Sequence, residues 1–232
     1  MASGAAFYLG DACIGLLALE AAPERDAIVP AARRRALRDR LVHSVRWLAT
    51  QATLLMDGDR RAPNRLLFDA RAYLACGWLA GDASIRAAAD PFIAEWRRST
   101  TPGGWFLEDD GWDTSYQAVS LDIGMDVAAL LRTDAVRLAL LADLVRGGRW
   151  LAGRVLPDGR VNSQGNARTC DGGESFLGAP KGLAVNSVVI GLARVAVSGG
   201  AAIDAGMLDA SRRVSGWARR NPAVDPCYSA SR

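Results

Sequence analysis

Apolar residues recur along the chain with a helical period, not an alternating one. In RLLFDARAYLACGWLAGD, Leu66, Ala70, Tyr73, Leu74 and Gly77 fall on one face at a spacing of about 3.6 residues. No clear run of alternating β-branched residues appears, and the one short candidate, VNSVVIGL, lies inside a longer helical pattern. Glycine and proline gather between these blocks, in DGDRRAP, STTPGG, LPDGR and GGAA. The pattern predicts an all-α fold.

The predicted helices pair through short turns. The pairs are 4–20 with 30–56, 64–80 with 83–98, 113–131 with 134–155, and 180–197 with 202–220. Trp47, Trp96, Trp150 and Trp217 recur late in the second helices. Their separations of 49, 54 and 67 residues (96−47, 150−96, 217−150) are too unequal for a strict repeat. Hairpins with a short turn at one end and a long loop at the other stack side by side. Curved, they form an α/α toroid or an incomplete (α/α) barrel of about four helical hairpins, with the long loops at one face; uncurved, they form a plain helical array. Residues 1–232 read as a single domain.

Composition narrows the class. Of 232 residues, 50% are hydrophobic and the net charge is only +3, which excludes a disordered, collagen-like or low-complexity chain. Lys181 is the one lysine among 28 basic residues, and the arginine excess reads as compositional bias. With no basic arm, RNP-like run or zinc-finger spacing, no nucleic-acid partner is expected. Cys13, Cys76, Cys170 and Cys227 are far apart without a CxxC, so they read as buried thiols of a reducing compartment. The apolar start MASGAAFYLGDACIGLLALEAA lacks a basic leader, is interrupted by Asp11 and falls short of a run of about 18 apolar residues, so it reads as a core helix without a membrane partner. The expected location is cytoplasmic as written, and periplasmic or secreted if the N-terminus is truncated. The single histidine, His43, lies on a predicted outer helix away from the loops, which removes histidine-based nucleophilic triads and metal sites. No cofactor or metal is expected.

Three long loops carry the remaining chemistry. Loop two, 103–117, holds Glu108, Asp109, Asp110 and Asp113 beside Trp105, Phe106, Trp112 and Tyr116, and closes on Gln117. Acids beside aromatics suit a sugar, which stacks its ring and offers hydroxyls to carboxylates. The alternative is a capping segment with Asp113 as the N-cap. Loop three, 157–181, presents Arg160, Asn162, Gln164, Asn166, Arg168, Asp171 and Glu174 among glycines, without a phosphate-binding pattern; the alternative is an ordinary surface loop. Loop one, 57–65, ends in Asn64-Arg65 at the start of a helix, where an amide and a guanidinium could neutralise a carboxylate or simply open the helix.

The segment GGWFLEDDGWDTSYQAVSL, preceded by APNRLLFDARAYL and followed by NSQGNARTCDGGES, resembles the α/α-toroid carbohydrate-active enzymes, and most closely the chondroitin/hyaluronan and heparinase-like polysaccharide lyases. The resemblance implies that Asn64 helps neutralise a uronate carboxylate. It implies that Tyr116 takes the C5 proton and returns it to the leaving oxygen, and that Arg65 and Arg168 bind acidic substrate. Where that family has a loop histidine, this chain has Glu108 and Asp109. Four hairpins are also fewer than a closed toroid of this type has, so the chain reads as a fragment, an open array or part of a larger toroid.

The expected function is therefore β-elimination on a uronate-containing polysaccharide or oligosaccharide. The catalytic candidates are Tyr116, Asn64, Glu108 and Asp113. The substrate-binding candidates are Arg65, Trp105, Trp112, Gln117, Arg160, Asn162, Asn166, Arg168 and Glu174. The alternatives are glycoside hydrolysis by two of Glu108, Asp109, Asp110, Asp113 and Glu174, or a non-catalytic sugar-binding or scaffold module.

Overall fold

The computed structural model describes residues 2–109, 111–222, 224, 227 and 228; Asp110, one of the carboxylates considered above, lies outside them. Helix makes up 69% of the structure and sheet is scarce, so the fold is all-α. In chain order the helices are α1 (Ala2–Ala21), α2 (Arg25–Ile28), α3 (Ala31–Thr50), α4 (Ala52–Asp59), α5 (Pro63–Ala80), α6 (Ala83–Ala87), α7 (Asp90–Arg98), α8 (Thr114–Leu130), α9 (Asp134–Ala152), α10 (Val185–Ser198) and α11 (Ala205–Arg220). The paired blocks of the sequence are recovered, but two second members are broken. The 30–56 block divides into α3 and α4 at Gln51, and the 83–98 block divides into α6 and α7. The segment VNSVVIGL lies within α10, as its helical context requires.

The chain forms two compact units. The first comprises Met1–Arg60 with Arg65–Trp96, the second Arg61–Asn64 with Arg97–Arg232. In the first unit α1 buries Ala6, Leu9, Cys13 and Leu16, a stripe at helical spacing. Gly10 lies on the same side: a Cβ there would come within 2.8 Å of the Arg71 Nε, so its absence lets Arg71 pass close enough to pair with Asp11 at 2.8 Å. From Ala70 to Gly77 α5 is buried on every face, so its apolar period marks a helix enclosed all round, not one lying on a surface. Asp82 caps α6 by accepting from the Ser84 and Ile85 amides, at 2.9 and 3.3 Å.

Two sequence expectations are corrected here. The cysteines are not thiols. Cys13 of α1 bonds Cys76 of α5 across 63 residues with Cα atoms 5.2 Å apart, and Cys170 bonds Cys227 across 57 residues at 6.1 Å. Each bridge closes a loop large enough to stabilise the fold by about 4 kcal/mol through lost unfolded-state freedom. In addition, α1 is long and apolar enough by composition to cross a membrane, because Asp11 and Glu20 are too few to disqualify it. In this fold it packs against α3 and is tied to α5 by its disulfide.

The second unit is built on α8, α9, α10 and α11, with α10 packed on α8, α9 and α11. Small residues set the close approaches: a Cβ on Gly124 of α8 would meet the Leu144 Cδ2 at 2.6 Å, and one on Gly191 of α10 would meet the Ala118 carbonyl oxygen at 3.0 Å. The fourth predicted hairpin starts later than the sequence suggests. Residues from Lys181 to Ala184 extend loop three, and α10 begins at Val185. Loop three also contains short strands that alternation could not reveal at two residues each. Strand β1 (Val161–Asn162) pairs in parallel with β4 (Cys227–Tyr228), and β2 (Ser175–Phe176) pairs antiparallel with β3 (Ala179–Pro180). The Trp recurrence does not carry one structural role. Trp96 is fully buried, Trp217 nearly so, and Trp47 is 47% exposed.

Candidate functional site

Loop two and loop three meet at the N-terminus of α8. Trp112 and Asn166 bridge the two loops, the Ala167 amide donating to the Trp112 carbonyl at 2.8 Å. Residues 61–64 join them: the Asp109 amide donates to the Arg61 carbonyl at 3.2 Å, and the Arg61 Nε lies 3.3 Å from the Asp109 carboxylate. The convergence that hairpin stacking predicts therefore holds within this unit for both long loops and for residues 61–64.

Asp113 fastens the junction. Its Oδ1 accepts from the Ser115 and Tyr116 amides at 2.9 and 3.0 Å, which is the N-cap of α8. Its Oδ2 accepts from the Arg168 and Thr169 amides at 3.1 and 2.7 Å, and the Thr169 hydroxyl reaches both oxygens. With 1% exposure and every lone pair engaged, Asp113 is not available to a substrate, which corrects its catalytic assignment and favours the capping alternative. Asn166 is likewise buried: its Oδ1 accepts from the Thr114 amide at 3.1 Å, and its Nδ2 donates to the Thr114 and Thr169 hydroxyls at 3.0 and 3.1 Å. Gln117 braces loop two against α9, accepting from the Phe106 amide at 2.9 Å and donating to the Gly104 and Gly147 carbonyls at 3.0 and 3.1 Å. Both residues are corrected from ligand contacts to struts, because a long loop must pair its buried backbone groups somewhere.

Above this foundation lies a charged cluster. Arg168 donates through Nη1 to Glu108 at 2.8 Å and through Nη2 to Glu174 at 3.0 Å, and its guanidinium lies 4.2 Å from the Tyr116 ring centroid. The Tyr116 hydroxyl donates to the Glu174 Oε2 at 2.7 Å. Lys181 completes the group, its ammonium donating to the Tyr116 oxygen at 2.8 Å and to the Glu174 Oε1 at 3.0 Å. Glu108 is 1% exposed and accepts from the Asn64 backbone N–H at 3.5 Å, while the Asn64 side-chain Oδ1 is buried without a hydrogen-bond donor. Asn64, Glu108, Tyr116, Arg168 and Glu174, all singled out in the sequence, thus belong to one network. In the sequence Lys181 stands out only by composition; its isolation among 27 arginines, at the end of loop three, is the available signal.

The electrostatics divide the cluster. Burial pushes the Glu108 carboxyl up to about 7 even though Arg168 opposes it. Burial acts the same way on Glu174, but hydrogen bonds from Tyr116, Lys181 and Arg168 outweigh it and bring that carboxyl down to about 2. Burial first, then the bond to Glu174, hold the Tyr116 phenol above its ordinary value against the pull of Lys181 and Arg168, so in this state it is neutral. Burial pulls the Lys181 ammonium down, but its bonds to Tyr116 and Glu174 carry it above its usual value.

The remaining candidates are placed elsewhere. The Trp105 and Trp112 rings lie 6.4 and 5.5 Å from that of Trp150, and Arg154 covers Trp112 at 3.9 Å from its centroid, so this aromatic group stacks on itself and on a protein cation. Arg160 pairs with Asp158 at 2.7 Å within its own turn, and the Asn162 Oδ1 accepts from the Gln164 amide at 3.1 Å. These four are corrected from substrate contacts to local structure. Among the described residues, no three His, Cys, Asp or Glu side chains are grouped so as to hold a metal ion.

Arg65 belongs to the first unit. Its Nη1 lies 3.3 Å from the Asp59 Oδ1, and the Asp59 Oδ2 accepts from the Ser3 hydroxyl at 2.6 Å. Beside them Asp69 is fully buried with no donor to either oxygen; burial, then the Asp59 charge, raise its carboxyl to about 8. A carboxyl raised in the folded state favours folding below its unfolded value of 3.8, and that contribution is lost as the pH rises through about 8. Urea unfolding at pH 5 and pH 8.5 is therefore expected to show the wild type losing on the order of 3 kcal/mol. Asp69→Asn should match it at pH 5 and exceed it at pH 8.5. Equal pH dependence in the two proteins would reject the neutral Asp69.

Comparisons with protein-family models, curated proteins and solved structures find no significant match.

Proposed function

We propose that the Tyr116 cluster is the proton-transfer centre of a carbohydrate-active enzyme that cleaves a uronate-containing polysaccharide or oligosaccharide by β-elimination, on helical hairpins arranged as an α/α toroid or an incomplete barrel. The observation that carries this reading is the Tyr116 hydroxyl, held between the Lys181 ammonium and Glu174 with Arg168 over its ring. A uronate C5 proton is weakly acidic, so its removal needs both a base and neutralisation of the adjacent carboxylate. Arg168 and Lys181 supply positive charge for that carboxylate and for a Tyr116 phenolate. Tyr116 first gives its hydroxyl proton to solvent; the C5 proton then moves to the phenolate oxygen, the C4–C5 double bond forms, and the C4–O bond breaks. The leaving oxygen then takes the proton back from Tyr116. The two disulfides favour an oxidising compartment, periplasmic or extracellular, over the cytoplasm.

The test is incubation with a panel of uronate polymers, followed through the absorbance of unsaturated uronate products. Absorbance growing with a polymer of one uronate type supports the assignment; its absence across the panel removes it. One observation favours a second reading. Glu108 and Glu174 flank Arg168 with their acidities driven apart, as the acid and base of a glycoside hydrolase require. Reducing ends released without unsaturated product, and lost in Glu108→Gln, would select hydrolysis. Sugar binding without turnover would select a non-catalytic module.

A further inference from the structure

Three donors from three places in the second unit converge on one carboxylate. Arg168 Nη2 and Lys181 Nζ each lie 3.0 Å from the Glu174 Oε1, and the Tyr116 hydroxyl lies 2.7 Å from its Oε2. Two fixed cations and a phenol around one carboxylate form a complete recognition site for that group. Glu174 is an unusual occupant, because it stands at the root of an exposed hairpin. Phe176 and Leu177 at the tip are 64% and 90% exposed, and Leu177 takes a left-handed backbone at φ 51° that a branched side chain rarely adopts. The root itself is fixed: the Glu174 amide donates to the Arg168 carbonyl and the Lys181 amide donates to the Glu174 carbonyl, both at 2.8 Å. The Glu174 side chain is a quarter exposed, so it can rotate out into solvent while its backbone stays in place.

We infer that Glu174 is an internal stand-in for the ligand's carboxylate, and that Arg168 and Lys181, beside Tyr116, form a subsite that takes a sugar carboxylate when Glu174 swings away. This rests on the proposed action on uronates and adds to it a self-inhibitory contact and the identity of the carboxylate subsite. The exchange is isoelectric: one carboxylate leaves the cations and another arrives. It also couples binding to chemistry. Departure of Glu174 removes the carboxylate that holds the Tyr116 proton in place; with the sugar carboxylate on the two cations, the hydroxyl gives that proton to solvent and leaves a phenolate on the Lys181 ammonium. The Lys181 ammonium meets the Tyr116 and Glu174 oxygens from a single nitrogen, as a compact point donor can.

The experiment titrates the full-length protein with acetate, D-glucuronate and D-glucose by calorimetry. Glu174→Ala vacates the subsite and Glu174→Gln keeps its shape without the charge. Affinity for acetate and glucuronate is expected to rise in the order wild type, Gln, Ala, by about tenfold or more overall, with no change for glucose. Adding Lys181→Met to Glu174→Ala should cancel the gain. Thermal unfolding of each variant separates these effects from loss of fold, and acetate should restore midpoint stability to a Glu174→Ala protein that has lost some. Equal carboxylate affinity in wild type and both variants would overturn the inference, as would a gain that survives Lys181→Met. Failure here alongside cleavage of a uronate polymer rejects only the stand-in. A carboxylate gain without cleavage of any polymer rejects the elimination reading and leaves the subsite.

Discussion

Asp113→Ala is expected to cost about 4 kcal/mol or more of folding stability and to remove any activity the site has. The size follows from what the carboxylate holds. Its two oxygens, on a side chain that is itself buried, receive the Ser115, Tyr116, Arg168 and Thr169 amides and the Thr169 hydroxyl, all within 3.1 Å. Alanine leaves those donors without a partner, so the loss exceeds that of an ordinary helix cap. The same bonds set the register of α8 against loop three, and thereby bring Tyr116 to Arg168. Asp113→Asn keeps one acceptor oxygen and should lose roughly half as much. Urea denaturation measures both variants. A loss below about 1 kcal/mol for alanine would mean that the loops hold their register without this carboxylate.

The helices were legible because their signal is local. Apolar spacing in the α5 segment and glycine and proline between blocks mark where helices run and stop, and α8, α9 and α11 follow the expected spans closely. The break at Gln51 carries no glycine or proline to announce it, whereas Pro91, in the first turn of α7, marks the one between α6 and α7. The disulfides were hidden for another reason. Cys13 lies in the buried stripe of α1, where a half-cystine and a thiol give the same apolar pattern, and its partner is 63 residues away.

The candidate site was legible in part, and the missed part shares one cause. Polar residues in a loop serve either a ligand or the loop itself, and sequence alone does not separate the two uses. Asp113, Gln117 and Asn166 read like ligand contacts, yet each satisfies backbone or hydroxyl groups that the loop buries. Arg168 and Glu174 read the same way and keep side chains within reach of solvent, at 12% and 25% exposure. Lys181 was obscured by the opposite prejudice. In a chain where arginine is the default cation, a lone lysine looks like noise, although it marks the one place where a cation is bonded to the Tyr116 oxygen.

Tyr116→Phe is expected to lower kcat on a uronate polymer by about 1000-fold while leaving KM within a few-fold and the fold intact. The phenyl ring still fills its place under the Arg168 guanidinium, so the stacking at 4.2 Å is kept. What disappears is the oxygen that accepts from Lys181 at 2.8 Å and donates to Glu174 at 2.7 Å. Lys181 and Glu174 remain bonded to each other at 3.0 Å, so the cluster stays neutralised and the thermal midpoint should move little. A large activity loss with unchanged stability therefore isolates the hydroxyl's part in proton transfer from any part in packing. The pH profile adds a second reading: if the phenolate is the base, kcat rises with pH in the wild type, and the residual activity of the phenylalanine variant lacks that limb. Retention of more than about a tenth of the wild-type kcat would remove Tyr116 from the proton path and turn attention to Glu108.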